Sequence, residues 1–176
     1  MTAVVEAVPV DFARQREVAV ALRAFLPEPA VLFEREDVQP YECDGLSAYR
    51  QVPMVVALPE DEEQVRRILR TCYEMRVPVV ARGAGTGLSG GALPLGNGVL
   101  LSLAKLMRIL DIDAQARTAR VQPGVRNLAI SEAALPYGLY YAPTRRARSR
   151  AASAATLPRI RAACTVSSTV LRSTTS

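Results

Sequence analysis

Ten residues constrain this chain more than any others: Arg82-Gly83-Ala84-Gly85-Thr86-Gly87-Leu88-Ser89-Gly90-Gly91. Half of them are glycine, and they hold five of the ten glycines in the chain. The apolar run Val77-Pro78-Val79-Val80-Ala81 leads directly into them and reads as a buried strand. A strand that empties into clustered glycine forms a loop whose backbone comes close to something, because glycine tolerates positive φ and has no Cβ in the way. Successive N–H groups in such a loop make a nest for an anion, most naturally a phosphate or pyrophosphate. Arg82, Thr86 and Ser89 would add donors to it. The bland alternative is a glycine-rich surface turn with no ligand.

Gly85, Gly87 and Gly90 satisfy G-x-G-x-x-G, but the context is not that of a dinucleotide fingerprint, which must open a helix inside a βαβ unit. Pro94, Gly96 and Gly98 follow, then a second strand-like run, Val99-Leu100-Leu101-Ser102-Leu103, with no room for a crossover helix. A Walker-type loop is also excluded, since the loop has no lysine.

The stretch from Val79 to Ala92 resembles the pyrophosphate loop of the FAD-binding domain shared by the vanillyl-alcohol oxidase and p-cresol methylhydroxylase (PCMH) family. More narrowly, the chain is similar to the FAD-linked oxidases of the bacterial glycolate oxidase type. Supporting stretches are Pro40-Tyr41-Glu42-Cys43-Asp44-Gly45-Leu46, Val121 to Asn127 and Gly138 to Pro143. The resemblance runs collinearly from about residue 10 to residue 143. It implies an α+β fold: the N-terminal half of a PCMH-type FAD-binding domain, a small mixed sheet with flanking helices. Three regions are expected: residues 1–52 as N-terminal helix and lead-in, 53–143 as a partial FAD-binding domain, and 144–176 as a disordered basic tail.

Read in order, Asp11 to Leu26 is an amphipathic helix with Phe12, Val18, Ala19, Leu22, Phe25 and Leu26 on its apolar face, capped by Asp11 and ended by Pro27. Residues 30–52 are mixed and polar. Met54 to Leu58 is a buried strand. The acids Glu60 to Glu63 suit a helix N-terminus better than a catalytic pair, and Val65, Ile68, Leu69 and Cys72 carry the helix onward. With the strand at 77–81 this makes a βαβ unit, so the two strands are expected to be parallel. Arg108 to Asp113 and Thr118 to Gln122 alternate like a hairpin, and Asn127 is placed to cap a helix over 128–135. Asp111 and Asp113 are read as a solvent-facing strand edge rather than a metal pair.

Composition narrows the function. No apolar run reaches membrane-spanning length, and the N-terminus lacks a secretory pattern, so a cytoplasmic protein is expected; the family resemblance leaves room for peripheral membrane association of the parent complex. There is no histidine, and Cys43, Cys72 and Cys164 lack metal-ligand spacing, so no metal is expected and the cysteines read as reduced and structural. The net charge of +5 invites a nucleic-acid reading, but residues 143–176 hold seven arginines and no acid. The remainder carries 15 basic and 17 acidic groups, so the body is mildly acidic and no nucleic-acid partner is expected.

From Thr144 onward arginine, alanine, serine and threonine take over. The resemblance requires Asp-Pro-Ser-Ser and then Ile-Gly-Gly-Asn at this point. Back-translation with every codon begun one nucleotide earlier permits that series. The last base of the Pro143 codon with AC of Thr144 can give Asp, the next step can give Pro, and the shifted frame permits continuation through Ser-Ser-Gln-Ile-Ala-Cys-Ser-Ile-Gly-Gly-Asn-Val-Ala-Glu-Asn-Ser-Gly-Gly-Val. The expectation is that one base was lost, or two gained, at the Pro143 codon. The alternative is a natural basic tail.

The resemblance implies FAD as cofactor and oxidation of a small 2-hydroxy acid, glycolate or D-lactate, by hydride transfer to the flavin, with other glycolate oxidase subunits as partners. It implies pyrophosphate contacts from Arg82, Gly83, Ala84, Gly85, Thr86, Gly87, Leu88, Ser89, Gly90 and Gly91, and flavin contacts from Pro123, Gly124 and Val125 and, less directly, Tyr141 to Pro143. No catalytic residue is assigned, because the family's substrate-side residues belong to a C-terminal domain not seen in this sequence. The chain alone is therefore expected not to turn over glycolate. The rival reading is a non-enzymatic flavin- or nucleotide-binding module with a basic arm.

Overall fold

The structure is a computed structural model that describes residues 9–45, 47–85, 87, 89–141 and 159–164. The chain divides into two compact units, residues 1–105 and 106–176.

The first unit opens with α1 (Phe12–Arg23), whose Asp11 carboxylate accepts from the backbone N–H groups of Ala13 and Arg14. Short strand β1 (Val31–Leu32) and one-turn helix α2 (Arg35–Val38) follow, then β2 (Val55–Ala57), α3 (Glu62–Glu74), β3 (Val79–Arg82) and β4 (Val99–Ser102). The sheet order is β1-β2-β4-β3. β2 and β3 are parallel, as the βαβ reading requires, but each pairs with β4, which lies between them. β1 runs antiparallel to β2, which makes the sheet mixed.

Both sheet faces are covered, which accounts for the nearly unbroken apolar runs in β2 and β4. Val56 and Leu100 pack with Val38, and Tyr41 and Val80 close around them. Helix α1 lies against β1, β2 and α3, and Val18, Leu22, Met54, Val55 and Ile68 are fully buried. The cluster at 60–63 is a helix start: Asp61 accepts from Gln64 N at 2.7 Å, and Gln64 Oε1 accepts from Glu60 N at 2.9 Å. Asp61 thus caps the helix, and the acids of the cluster lie where a helix N-terminus favours negative charge. Cys72 is buried on α3, and burial pushes its thiol up to about 11, so it stays protonated and inert at neutral pH.

Two residues expected on apolar helix faces are exposed. Phe12 is 72% exposed, since it occupies the first turn and its side chain leans back past the end of the helix. Leu69 is 45% exposed, because it sits one position beyond Ile68 and falls at the margin of the face set by Val65, Ile68 and Cys72.

Gly98 fixes where β4 enters the sheet. Its carbonyl accepts from Met54 N at 3.2 Å, and the next residue, Val99, donates to Pro78 O at 2.9 Å. A Cβ at 98 would meet that same Pro78 oxygen at 2.9 Å, a backbone atom that cannot swing away. Gly98→Ala is expected to cost about 1–3 kcal/mol, read as a lower midpoint in denaturant at unchanged slope.

The second unit holds β5 (Ile109–Asp113) and β6 (Thr118–Val121), an antiparallel hairpin with a register shift between Ile109 and Asp111. Asp113 accepts from Ala116 N at 2.7 Å and shapes the turn. Helix α4 (Asn127–Ala134), a 3-10 turn over Leu135–Tyr137 and β7 (Tyr140–Tyr141) follow. Asn127 is not the cap. Arg126 holds that position in extended geometry and accepts from Ile130 N, while Asn127 is already helical. Gly138 ends the segment at φ +67, in the left-handed region. Ala119, Val121, Ile130, Ala134 and Leu139 form this unit's core.

Within 144–176, where a tail without structure was expected, Arg159–Cys164 form β8, parallel to both β6 and β7 and lying between them. The strand fills the slot that β6 and β7 leave open, so their unpaired ladder groups find partners.

Candidate functional site

The glycine loop begins where β3 ends. Arg82 is the last strand residue, in register with Ser102 of β4, and its carbonyl accepts from Leu103 N at 2.8 Å. This pairing anchors the loop's first residue to the sheet. From there Gly85 at φ +67 and Gly90 at φ +71 take the left-handed conformation, and Leu93 N closes a turn onto Gly90 O at 3.1 Å. Gly83, Ala84, Gly87, Ser89 and Gly91 are exposed. A Cβ added at Gly87, Gly90 or Gly91 would meet nothing within 4 Å. The loop therefore presents bare backbone to open space, as a nest for an anion must. Thr86 and Leu88, also expected to contact pyrophosphate, lie outside the described residues.

Arg82 turns the other way. Its Nη2 donates to Cys43 O at 2.8 Å and to Ala92 O at 2.9 Å. Its Cζ lies 5.9 Å from the centre of the Tyr41 ring. Nε is buried with no hydrogen-bond partner. Burial pulls the guanidinium below its ordinary pKa, opposed by Asp44 first and then by Cys43 and Tyr41. Sequence reasoning did not assign Tyr41, Cys43 and Asp44 a role here, although Pro40 to Leu46 already stood out as a family-like stretch.

In the second unit Pro123, Gly124 and Val125 form a rigid turn. Gln122 and Arg108 are tied twice, Gln122 N to Arg108 O at 2.9 Å and Arg108 N to Gln122 Oε1 at 2.8 Å. Gly124 N donates to Leu106 O at 2.8 Å. Tyr141 is tied to α4 through Ser131, whose hydroxyl meets both its N–H and its carbonyl at 3.3 Å. Pro143 lies outside the described residues.

The family of FAD-binding domains matches residues 53–157. The chain belongs to that family. FAD is the family's cofactor, and one feature of the loop fits its pyrophosphate: an open, side-chain-free cradle at Gly87, Gly90 and Gly91. The chain is 61% identical over 126 residues to the glycolate oxidase protein GlcD of Escherichia coli strain K12, a match that covers 72% of this chain and 25% of that protein. It is 42% identical over 128 residues to a D-lactate dehydrogenase of Archaeoglobus fulgidus, covering 72% of this chain and 27% of the relative. Among solved structures, p-cresol methylhydroxylase with substrate bound superposes with a TM-score of 0.64 at 25% identity, over 73% of this chain and 26% of the other. The chain thus spans about a quarter of the length of these relatives. The fold is the mixed α/β arrangement of a PCMH-type FAD-binding domain.

Among the described residues no helix is long and apolar enough to cross a membrane, and no group of three His, Cys, Asp or Glu is placed to hold a metal.

Proposed function

We propose that the chain is the flavin-anchoring portion of an FAD-dependent 2-hydroxy-acid oxidoreductase acting on glycolate or D-lactate, working with further glycolate oxidase subunits. Residues 82–91 hold the pyrophosphate, and Pro123, Gly124, Val125, Tyr141 and Pro143 contact the flavin. The observation that carries this reading is the glycine loop: anchored at Arg82, turned by left-handed Gly85 and Gly90, and bare toward solvent at Gly87 and Gly91. The cofactor, when bound, accepts the hydride taken from the substrate carbon. The chain's own part is to fix one end of that cofactor. Backbone N–H groups donate to the pyrophosphate oxygens, and the absence of side chains at the glycines lets the diphosphate approach the backbone. No substrate-side group is assigned among residues 1–143, and the 176-residue chain alone is expected not to oxidise glycolate.

The reading is tested by titrating the chain with FAD and following flavin fluorescence. One FAD is expected per chain, and ADP, which carries the same diphosphate, is expected to compete for it. Riboflavin, which has none, is expected not to displace ADP. Riboflavin displacing ADP as well as FAD does would reject the loop as the anchoring element.

A further inference from the structure

An arginine that grips a phosphate presents its fork of donors to the ligand. Arg82 does not. It is 7% exposed, and Nη2, which has two hydrogens to give, has both carbonyls it needs within the protein. Those carbonyls lie on either side of the loop: Cys43 belongs to the segment ahead of β2, and Ala92 is the first residue after Gly91. The loop leaves the sheet at Arg82 and is caught again by the same side chain ten residues later.

The stem runs close under the loop's first turn. A Cβ at Gly85 would sit 3.5 Å from Arg82 Cδ and 3.7 Å from Nε, so the left-handed glycine lies directly against the arginine. The Tyr41 ring flanks the guanidinium, and buried Asp44 acts on it electrostatically. The cation is thereby enclosed in the floor of the loop.

We propose that Arg82 is a positioning residue that closes the glycine loop from beneath, by bonding the Cys43 and Ala92 carbonyls together, and sets a positive charge behind the anion nest without touching the anion. This rests on the pyrophosphate reading of the loop and changes one part of it, moving Arg82 from ligand to support. The N–H groups of the loop meet the diphosphate, and the arginine keeps them in place before the ligand arrives, so that less ordering is needed on binding.

The test compares wild type with Arg82→Lys and Arg82→Gln in the 176-residue chain. Lysine keeps the charge, but a single ammonium on a flexible stem does not reproduce the fork that joins two carbonyls. Amide hydrogen exchange is measured without ligand. Exchange across residues 83–92 is expected to rise about tenfold or more in both variants, with β2 and β4 still protected, and ADP affinity to fall by about tenfold or more. Should Arg82→Gln lose protection throughout the sheet, Arg82→Lys carries the comparison. Unchanged loop exchange in Arg82→Lys, whether or not ADP affinity falls, overturns the proposal: a fall would mark a direct ligand, and no fall would mark a residue with no part in the site. If the variants loosen the loop but wild type binds neither ADP nor FAD there, the clamp stands and the pyrophosphate reading fails.

Discussion

Gly87→Val is expected to lower the affinity for FAD and for ADP by about a hundredfold while moving the melting temperature by less than about 3 °C. The two halves of that result have separate causes. Gly87 is not among the positive-φ glycines, and a Cβ there meets nothing within 4 Å, so a β-carbon adds no clash and no left-handed strain at this exposed position, and valine is expected to leave the free protein's stability nearly unchanged. On the proposed reading of the loop, the open space it fills is where the diphosphate oxygens would approach the backbone. Gly85→Val differs: position 85 has φ +67 and lies against the Arg82 stem, so it should lose both binding and stability. Isothermal titration with ADP alongside thermal unfolding separates the two. An unchanged ADP affinity in Gly87→Val would show that the open side of the loop receives no diphosphate.

Restoring one base at the Pro143 codon is expected to convert a chain without turnover into one that reduces a dye with glycolate or D-lactate, at a kcat within the ordinary range of about 1–10³ s⁻¹. The effect is large because the shifted frame, on this reading of the tail, would supply Asp-Pro-Ser-Ser in place of Thr144 to Ala147 and open the codons beyond to the family sequence. Arg159–Cys164 form β8 between β6 and β7, and back-translation of these residues in the shifted frame permits Glu-Asn-Ser-Gly-Gly-Val. That glycine-rich stretch has little strand propensity. The restored protein should therefore seat a different segment between β6 and β7. Nucleotide sequence across the codon checks the premise; a confirmed frame with nothing family-like downstream would remove it.

What the sequence made legible was local. The strands at β2, β3 and β4, helices α1 and α3, the β5–β6 hairpin and the glycine loop all carry their signal within a few residues, in periodicity, caps and glycine clustering. What it hid depends on partners far along the chain. The polar stretch 30–52 gave no sign of β1, a two-residue strand that exists only because β2 offers it an edge. Insertion of β4 between β2 and β3 is a matter of sheet order, which no local pattern encodes. The same holds for Arg82. Its position at the head of the loop suggested a ligand, but the direction of its guanidinium is set by carbonyls 39 residues before it and ten after it. Family-like residues at Tyr41 to Asp44 marked the place without indicating that they form the floor of the loop.

The most direct test of the central claim is the exchange footprint of ADP on the 176-residue chain. Slowed amide exchange at residues 83–91 on saturation with ADP is the result predicted, since those N–H groups would be donating to the diphosphate. Saturable binding of ADP with unchanged exchange at 83–91, and protection appearing elsewhere, would contradict it.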